Sequence, residues 1–258
     1  MTEKINLGKG CDLDLHALVT GRTLLCAMSD GGKSWAARRM IEQLIGNAVI
    51  IIVDPDGEYT TLRENFPFLI VGQDVPVVPE AAEFIADQII ENKLSTILDF
   101  SDPSLDVLAQ QEYLTRFFDR LIAIQMKARV PTITFIEEAD ESIPEKGTFK
   151  SASLQTMIRL VKKGRKRGLG VILITQRPAF VSKYAISQCS GKIIGRTEWP
   201  SDVDVLKDYA RIPLEVIKEL PDFPLGPNVP RKFWIGGPIV KKPMVTIVGD
   251  VQTRHLGQ

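Results

Sequence analysis

Largely apolar runs of a strand's length alternate with helix-period segments from residue 23 to about residue 210. Few arrangements other than a layered α/β fold accommodate that order. The runs are Thr23–Met28, Ala48–Val53, Leu94–Phe100, Thr132–Ile136, Gly170–Thr175 and a shorter one at Lys192–Gly195. A strand with one wet face alternates polar and apolar side chains. Ala48–Val53 is apolar and β-branched throughout and the others are similar, so both faces of their sheet are expected to be covered. Between them, Lys33–Ile45 reads as a helix. Leu114, Phe117, Phe118, Leu121 and Ile122 form an apolar stripe, and Leu154, Met157, Ile158 and Val161 form another. The expected fold is therefore α/β: a mostly parallel central sheet, helices on both faces, right-handed crossovers. Residues 1–22 are expected to hold a short N-terminal strand segment at Asp12–Leu15, and residues 23–210 the core. Residues 211–258 form a Pro-rich C-terminal segment (Pro213, Pro221, Pro224, Pro227, Pro230). In it, Lys232–Ile235 and Met244–Val248 read as an edge hairpin.

Between the first run and its helix lies Ala27-Met28-Ser29-Asp30-Gly31-Gly32-Lys33-Ser34, a near match to G-x-x-x-x-G-K-[ST]. In such a loop successive backbone N–H groups turn inward onto phosphate oxygens, and the following helix adds the positive end of its dipole. Nucleotide-binding candidates are therefore Ser29, Asp30, Gly31, Gly32, Lys33, Ser34 and the adjoining Trp35. Lys33 is expected at the β- and γ-phosphates of ATP, and the Ser34 hydroxyl on Mg²⁺. Two positions depart from the pattern. Ala27 replaces the first glycine, and Asp30 sits among the phosphate ligands, where it reads as a turn residue with its carboxylate outward. Trp35 reads first as a sheet-packing residue and second as an adenine stacker.

Thr132–Ile136 ends in Glu137-Glu138-Ala139-Asp140. An apolar strand closed by two carboxylates is the Walker B arrangement. Glu137 would orient Mg²⁺ or its water, and Glu138 would polarise the attacking water. Taken alone, the pair reads as a solvated acidic turn. Its place on a parallel sheet downstream of the phosphate loop favours chemistry, because strand ends there open on one edge. The two glutamates are expected to face the loop across adjoining strands. Gly170–Thr175 ends in Gln176-Arg177-Pro178, and Gln176 reads as a sensor of the γ-phosphate or the lytic water.

Lys+Arg and Asp+Glu both number 32, a formal net charge of +0, so any nucleic-acid contact must come from a local patch or an assembled ring. Cys11, Cys26 and Cys189 show no metal spacing, and a reducing, cytoplasmic compartment is expected. MTEKINLGKG is too polar for a signal peptide. The longest apolar run is too short for a membrane span. His16 and His255 have no partner pattern and are given no role.

The series AMSDGGKS, VDPDGEY, TFIEEAD, GRKRGLGVILITQRP and ISQCSGKIIGR resembles the HerA-like branch of the HerA/FtsK superfamily over roughly residues 5–210. TQRP and the downstream SQC…IIGR block are its most discriminating parts. The resemblance implies a RecA-like, additional-strand P-loop NTPase that hydrolyses ATP with DNA stimulation. It also implies a homo-oligomeric ring, expected as a hexamer, translocating on double-stranded DNA. Lys33 and Ser34 match the Walker A residues, Glu138 the catalytic glutamate and Gln176 the sensor. Asp56, Gly57 and Glu58 match a segment near the nucleotide. With about twenty residues before the core, the chain looks like a minimal form without the N-terminal β-barrel.

Lys162, Lys163, Arg165, Lys166 and Arg167 form the only dense cationic run, at the end of the Leu154–Val161 stripe. The plain reading is a helix end whose cations offset the dipole. The functional readings are an arginine finger at Arg165 or a pore lining on DNA phosphates. Arg196, after KIIG, is a second finger candidate. A rival function is a nucleotide-dependent assembly module with weak hydrolysis, controlling a partner such as a nuclease. Ala27, Asp30 and Glu137 favour it. A small-molecule kinase is disfavoured by TQRP and IIGR and by the lack of an evident lid.

Overall fold

The structure is a computed structural model and describes residues 4–148 and 150–255. A ribbon of β1 (Lys4–Gly8) and β2 (Cys11–Asp14) leads into α1 (Leu15–Thr20). The ribbon's second strand alternates buried and exposed positions, and Asp14 caps α1 by accepting the Ala17 N–H at 2.7 Å. Then follow β3 (Arg22–Cys26), α2 (Lys33–Leu44), β4 (Val49–Asp54), β5 (Phe68–Val71), α3 (Ala82–Asn92), β6 (Ser95–Asp99) and α4 (Val107–Ala128). The chain continues through β7 (Thr132–Ile136), α5 (Ala139–Ser142), α6 (Leu154–Lys163), β8 (Leu169–Thr175), α7 (Lys183–Gln188), β9 (Gly191–Ile194) and α8 (Pro200–Asp208). It closes with α9 (Leu214–Glu219), β10 (Lys232–Gly236) and β11 (Met244–Ile247).

Nine strands make one sheet in the order β11-β10-β9-β3-β8-β7-β4-β6-β5. The seven strands from β9 to β5 run parallel, and β10 and β11 add an antiparallel hairpin at one edge. Neighbouring side chains on a strand point to opposite faces, so two cores form. Leu24, Ile51, Val53, Leu98 and Leu173 pack under α3, α4, α6 and α7. Leu25, Ile50, Ile52, Phe135 and Ile174 pack under α1, α2 and the β1–β2 ribbon. Phe117 and Phe118, both fully buried, anchor the α4 side edge to face. No helix among the described residues is long and apolar enough to cross a membrane.

Two sequence expectations need correction, and two elements lie beyond what the sequence reading found. The loop strand and the strand of the glutamates do not adjoin: β8 pairs with β3 on one side and β7 on the other. Strand β3 stops at Cys26, two residues early, because Met28 already bonds to the loop after β9. Strand β5 and helix α3 went unread. β5 has only four residues, and α3 opens after a Pro79-led 3-10 turn that hides its period.

Candidate active site

Parallel strands bring their carboxyl ends to one edge, so the segments after β3, β4, β7, β8 and β9 meet there. After β3, the Gly31 N–H donates to Met28 O at 3.0 Å, and the Met28 N–H donates to Arg196 O at 2.9 Å. Asp30 (φ 58°) and Gly32 (φ 82°) are left-handed, a region open to Gly and tolerated by Asp. Asp30 is exposed. Points where a Cβ on Gly31 or Gly195 would stand lie 2.8 and 2.7 Å from the Ala27 methyl. Those two bare glycines make the room that lets alanine replace the first glycine. No side chain caps α2, so the N–H groups of its first turn can receive an anion, with the dipole behind them.

A cleft of about 580 Å³ opens over this turn, lined by Ser29, Asp30, Gly32, Lys33 and Ser34 and faced by Glu138 and Gln176. The Ser29 hydroxyl donates to Gln176 Oε1 at 2.6 Å, and Gln176 Nε2 donates to Glu138 Oε1 at 3.3 Å. Loop, amide and carboxylate thus form one hydrogen-bonded chain across the cleft. Glu138 is held left-handed at φ 38°, a conformation that costs a non-glycine residue about 1–2 kcal/mol and concentrates at functional sites.

Behind the cleft, a polar cavity of about 30 Å³ is lined by Lys33, Ser34, Asp54, Asp56, Glu58, Glu137 and Glu138. Glu137 is buried and accepts a hydrogen bond from the Tyr59 hydroxyl. Asp54 accepts the Glu58 and Tyr59 N–H groups at 3.1 and 2.9 Å, fixing the turn after β4. Burial pushes Glu137 up to about 8 and Glu138 and Asp54 up to about 7. Lys33 opposes the shift at both glutamates, and the Asp99 carboxylate adds to it at Asp54. A divalent cation beside these groups would favour their ionised forms. The cavity has room for about one water-sized species. No group of three or more His, Cys, Asp or Glu among the described residues forms an all-protein cage. That donor set suits Mg²⁺, which keeps several waters and takes one or two protein ligands alongside phosphates.

The cleft's outer end joins Trp35, a nucleotide-binding candidate in the sequence, to residues the sequence reading missed or left without a role. Trp35 does not simply pack on the sheet. Its indole N–H donates to Gly249 O at 2.9 Å, and the Arg231 guanidinium lies 3.8 Å from its ring centroid. His255 stands 6.0 Å from the same ring and lines the cleft with Gly226, Pro227 and Arg231. The residue 249–255 strap is fastened to α2. Glu42 accepts the Gln252 N–H, the Thr253 N–H and the Thr253 hydroxyl at 2.7–2.9 Å, and buried Arg38 donates to Thr253 Oγ1 at 2.8 Å.

Two arginine candidates lie apart. Arg196 is beside the loop, but its guanidinium bonds Glu198 at 2.8 Å and Phe223 O at 3.2 Å. Arg165 belongs to the 3-10 turn Gly164–Arg167 that precedes β8, and its side chain lies outside the described residues. That turn is at the opposite end of β8 from Gln176, about 20 Å away along the strand. Arg177 was unassigned. It pairs with fully buried Asp202 at 2.9 Å and lies over Phe180 and Trp199, locking the segment after Gln176 onto α8. A larger cavity of about 830 Å³, between α4, α6 and the 144–152 loop, holds none of the loop, carboxylate or amide groups. Volume alone is therefore a poor guide to the site here.

A phosphate-type loop after β3, an acidic pair after β7 and a strand inserted between them define an additional-strand P-loop NTPase. The family model described as the HerA helicase central domain matches residues 9–176, and the chain belongs to that family, among the HerA/FtsK-type P-loop ATPases. It is 28% identical over 129 residues to a probable helicase of Methanocaldococcus jannaschii, covering 50% of this chain and 24% of that protein. It is 24% identical over 193 residues to the DNA double-strand break repair helicase HerA of Saccharolobus solfataricus, covering 70% and 36%. The chain thus spans about a quarter to a third of those relatives' length. Its fold matches the genome packaging NTPase B204 of Sulfolobus turreted icosahedral virus 2, solved with ATPγS. The TM-score is 0.62 at 16% identity, over 88% of this chain and 97% of that one.

Proposed function

We propose that this chain is an ATP-driven motor core that assembles as a ring, expected as a hexamer, and translocates on double-stranded DNA. The observation that carries the reading is the hydrogen-bonded chain Ser29–Gln176–Glu138, which ties the phosphate loop to a carboxylate across the cleft. In this reading the N–H groups of Gly31–Ser34 and the Lys33 ammonium hold the triphosphate. Bound Mg²⁺, approached by Ser34 and by Glu137 through water, supplies charge neutralisation at the phosphates. Glu138 accepts a proton from the water that attacks in line, and Gln176 orients that water or the γ-phosphate and senses its loss. Asp30 serves as the turn residue and Trp35 as the cleft wall. The HerA helicases and the packaging NTPase named above support a DNA substrate by likeness.

The turn that carries Arg165 stands at the far end of β8 from its own cleft, which suits a finger offered to a neighbour's nucleotide. Arg196 could serve only after leaving Glu198. The experiment is ATP turnover with and without duplex DNA, alongside oligomer mass with ATP, ADP and no nucleotide. DNA-stimulated turnover from an ATP-dependent ring supports the motor. A second reading, nucleotide-controlled assembly with slow hydrolysis that governs a partner such as a nuclease, draws on Arg196 being held by Glu198. It predicts ring formation with ATP but no DNA stimulation.

A further inference from the structure

The cleft extends past the phosphate loop to a wall that the hydrolysis chemistry does not use. That wall is made by Trp35, by Arg231 and by His255, which stand far apart in the chain. The Arg231 side chain runs over the loop: its Cγ would be 2.8 Å from a Cβ on Gly32, and its guanidinium covers the Trp35 ring. Its recorded hydrogen bond is to Pro227 O at 3.4 Å, and no carboxylate pairs with it among the described residues. A guanidinium plane with spare donors can both stack on a heteroaromatic base and bond a ribose or phosphate oxygen. Both ring nitrogens of His255 are buried and without a hydrogen-bond partner among the described residues. Such groups are rare in folded proteins and call for a ligand or an ordered water.

We propose that Arg231 and His255 form the base subsite of this cleft: Arg231 stacks on a purine and His255 bonds its edge, so that a bound nucleoside clamps the C-terminal strap. The proposal rests on the nucleotide reading above and deepens it. Burial lowers the pKa of His255, with the nearby Arg38 charge adding to the effect. The imidazole is therefore neutral near pH 7 and offers one donor and one acceptor. Adenine's edge presents both an exocyclic N–H and ring nitrogens, so whichever imidazole nitrogen faces it, donor or acceptor, finds one partner there. The strap's bonds to Glu42 and Arg38 hold His255 in reach, so occupancy of the subsite resists strap opening.

The test compares two probes, ATP and inorganic tripolyphosphate, with adenosine as a third ligand on wild type, by calorimetry on the full chain and on the variants His255→Ala, His255→Gln and Arg231→Gln. In the wild type ATP is expected to bind at least tenfold more tightly than tripolyphosphate. Losing one base contact lowers that ratio by about five- to tenfold, as expected for a single net hydrogen bond. His255→Gln, which keeps a donor and an acceptor, recovers part of it. Each variant's circular dichroism and melting temperature are matched to wild type, and Arg231→Gln serves independently should a His255 variant fail to fold. A ratio unchanged in the folded variants overturns the subsite, as does an equal loss for both probes. Tripolyphosphate that fails to bind wild type while adenosine binds contradicts the phosphate-loop reading and leaves the base subsite supported. Failure of every probe overturns both.

Discussion

The two ends of the cleft are built in opposite ways. The inner end takes Ser29–Ser34, Glu137, Glu138 and Gln176 from short segments at the carboxyl ends of three parallel strands. Each segment adjoins the strand that positions it, and strand pairing alone brings them together. The outer end takes Trp35, Arg231 and His255 from α2, from the approach to an edge hairpin and from a strap near the end of the described chain. That strap is held mainly by side-chain bonds, from Arg38, Glu42 and Trp35 and also from Arg39, Thr61, Asn65 and the Arg254–Glu64 pair, with one backbone bond from Gly249 to Leu7 O. Chemistry sited on sheet edges inherits the rigidity of the core. Recognition sited on a strap can open and close.

The largest expected effects fall on the inner end. Lys33→Ala should lower kcat/KM for ATP by about 100–1000-fold or more, the scale of losing a preorganised phosphate donor. Its unfolding midpoint should stay within a few degrees of wild type. If turnover survives Lys33→Ala, the inner end is misassigned. Next comes a change that separates the ends. Glu42→Ala removes the acceptor of three strap hydrogen bonds and should cost about 2 kcal/mol in denaturant unfolding. In hydrogen exchange, the Gln252 and Thr253 amides should lose protection while those of β3 and β8 keep theirs. Loss spread evenly over the sheet would show that the strap is not a separable unit.

The buried carboxylates give a pH signature with a definite sign. As the proposed base, Glu138 would have to be ionised to accept a proton, and burial raises its pKa to about 7. The acid limb of kcat/KM should therefore rise through an apparent pKa near 7. The same shifts act on stability. Folded Asp54, Glu137 and Glu138 hold protons that the unfolded chain, with ordinary values of 3.8 and 4.5, has released. Their contribution is complete below about pH 4 and is lost as pH rises through about 7 to 8, so the nucleotide-free protein should weaken across that window. Stability flat from pH 5 to 8 would count against the burial of these groups. The smallest effect belongs to Ser29→Ala. Removing the Ser29–Gln176 bond should lower kcat about two- to fivefold, on the scale of one partly exposed hydrogen bond.

Legibility in the sequence follows the same division. GGKS, the EEAD step and TQRP could be read because each needs only a strand and its next few residues. Burial of the strands on both faces followed from their largely apolar, β-branched runs, Ala48–Val53 above all. The insertion of β8 between β3 and β7 is a matter of long-range pairing, which no local pattern encodes. Helix α3 was obscured by the Pro-led turn before it, and β5 by its length. At the outer end, His255 gave no local signal, since a lone histidine with no periodic neighbour looks like any surface residue. Arg231 is one cation among 32, and only its stacking on Trp35 marks it. The pairing of Arg177 with Asp202, across 25 positions, is similarly invisible without the fold.

The central claim is that a triphosphate held by the Gly31–Ser34 turn is cleaved by a water activated at Glu138. A single-turnover measurement of phosphate release from γ-labelled ATP, wild type against Glu138→Gln, tests it most directly. Wild type is expected to release phosphate. The variant should retain stoichiometric ATP yet release phosphate at least about 100-fold more slowly, the scale of a lost catalytic base. Equal release rates from the two proteins, or no release from wild type under any condition including duplex DNA, would contradict it.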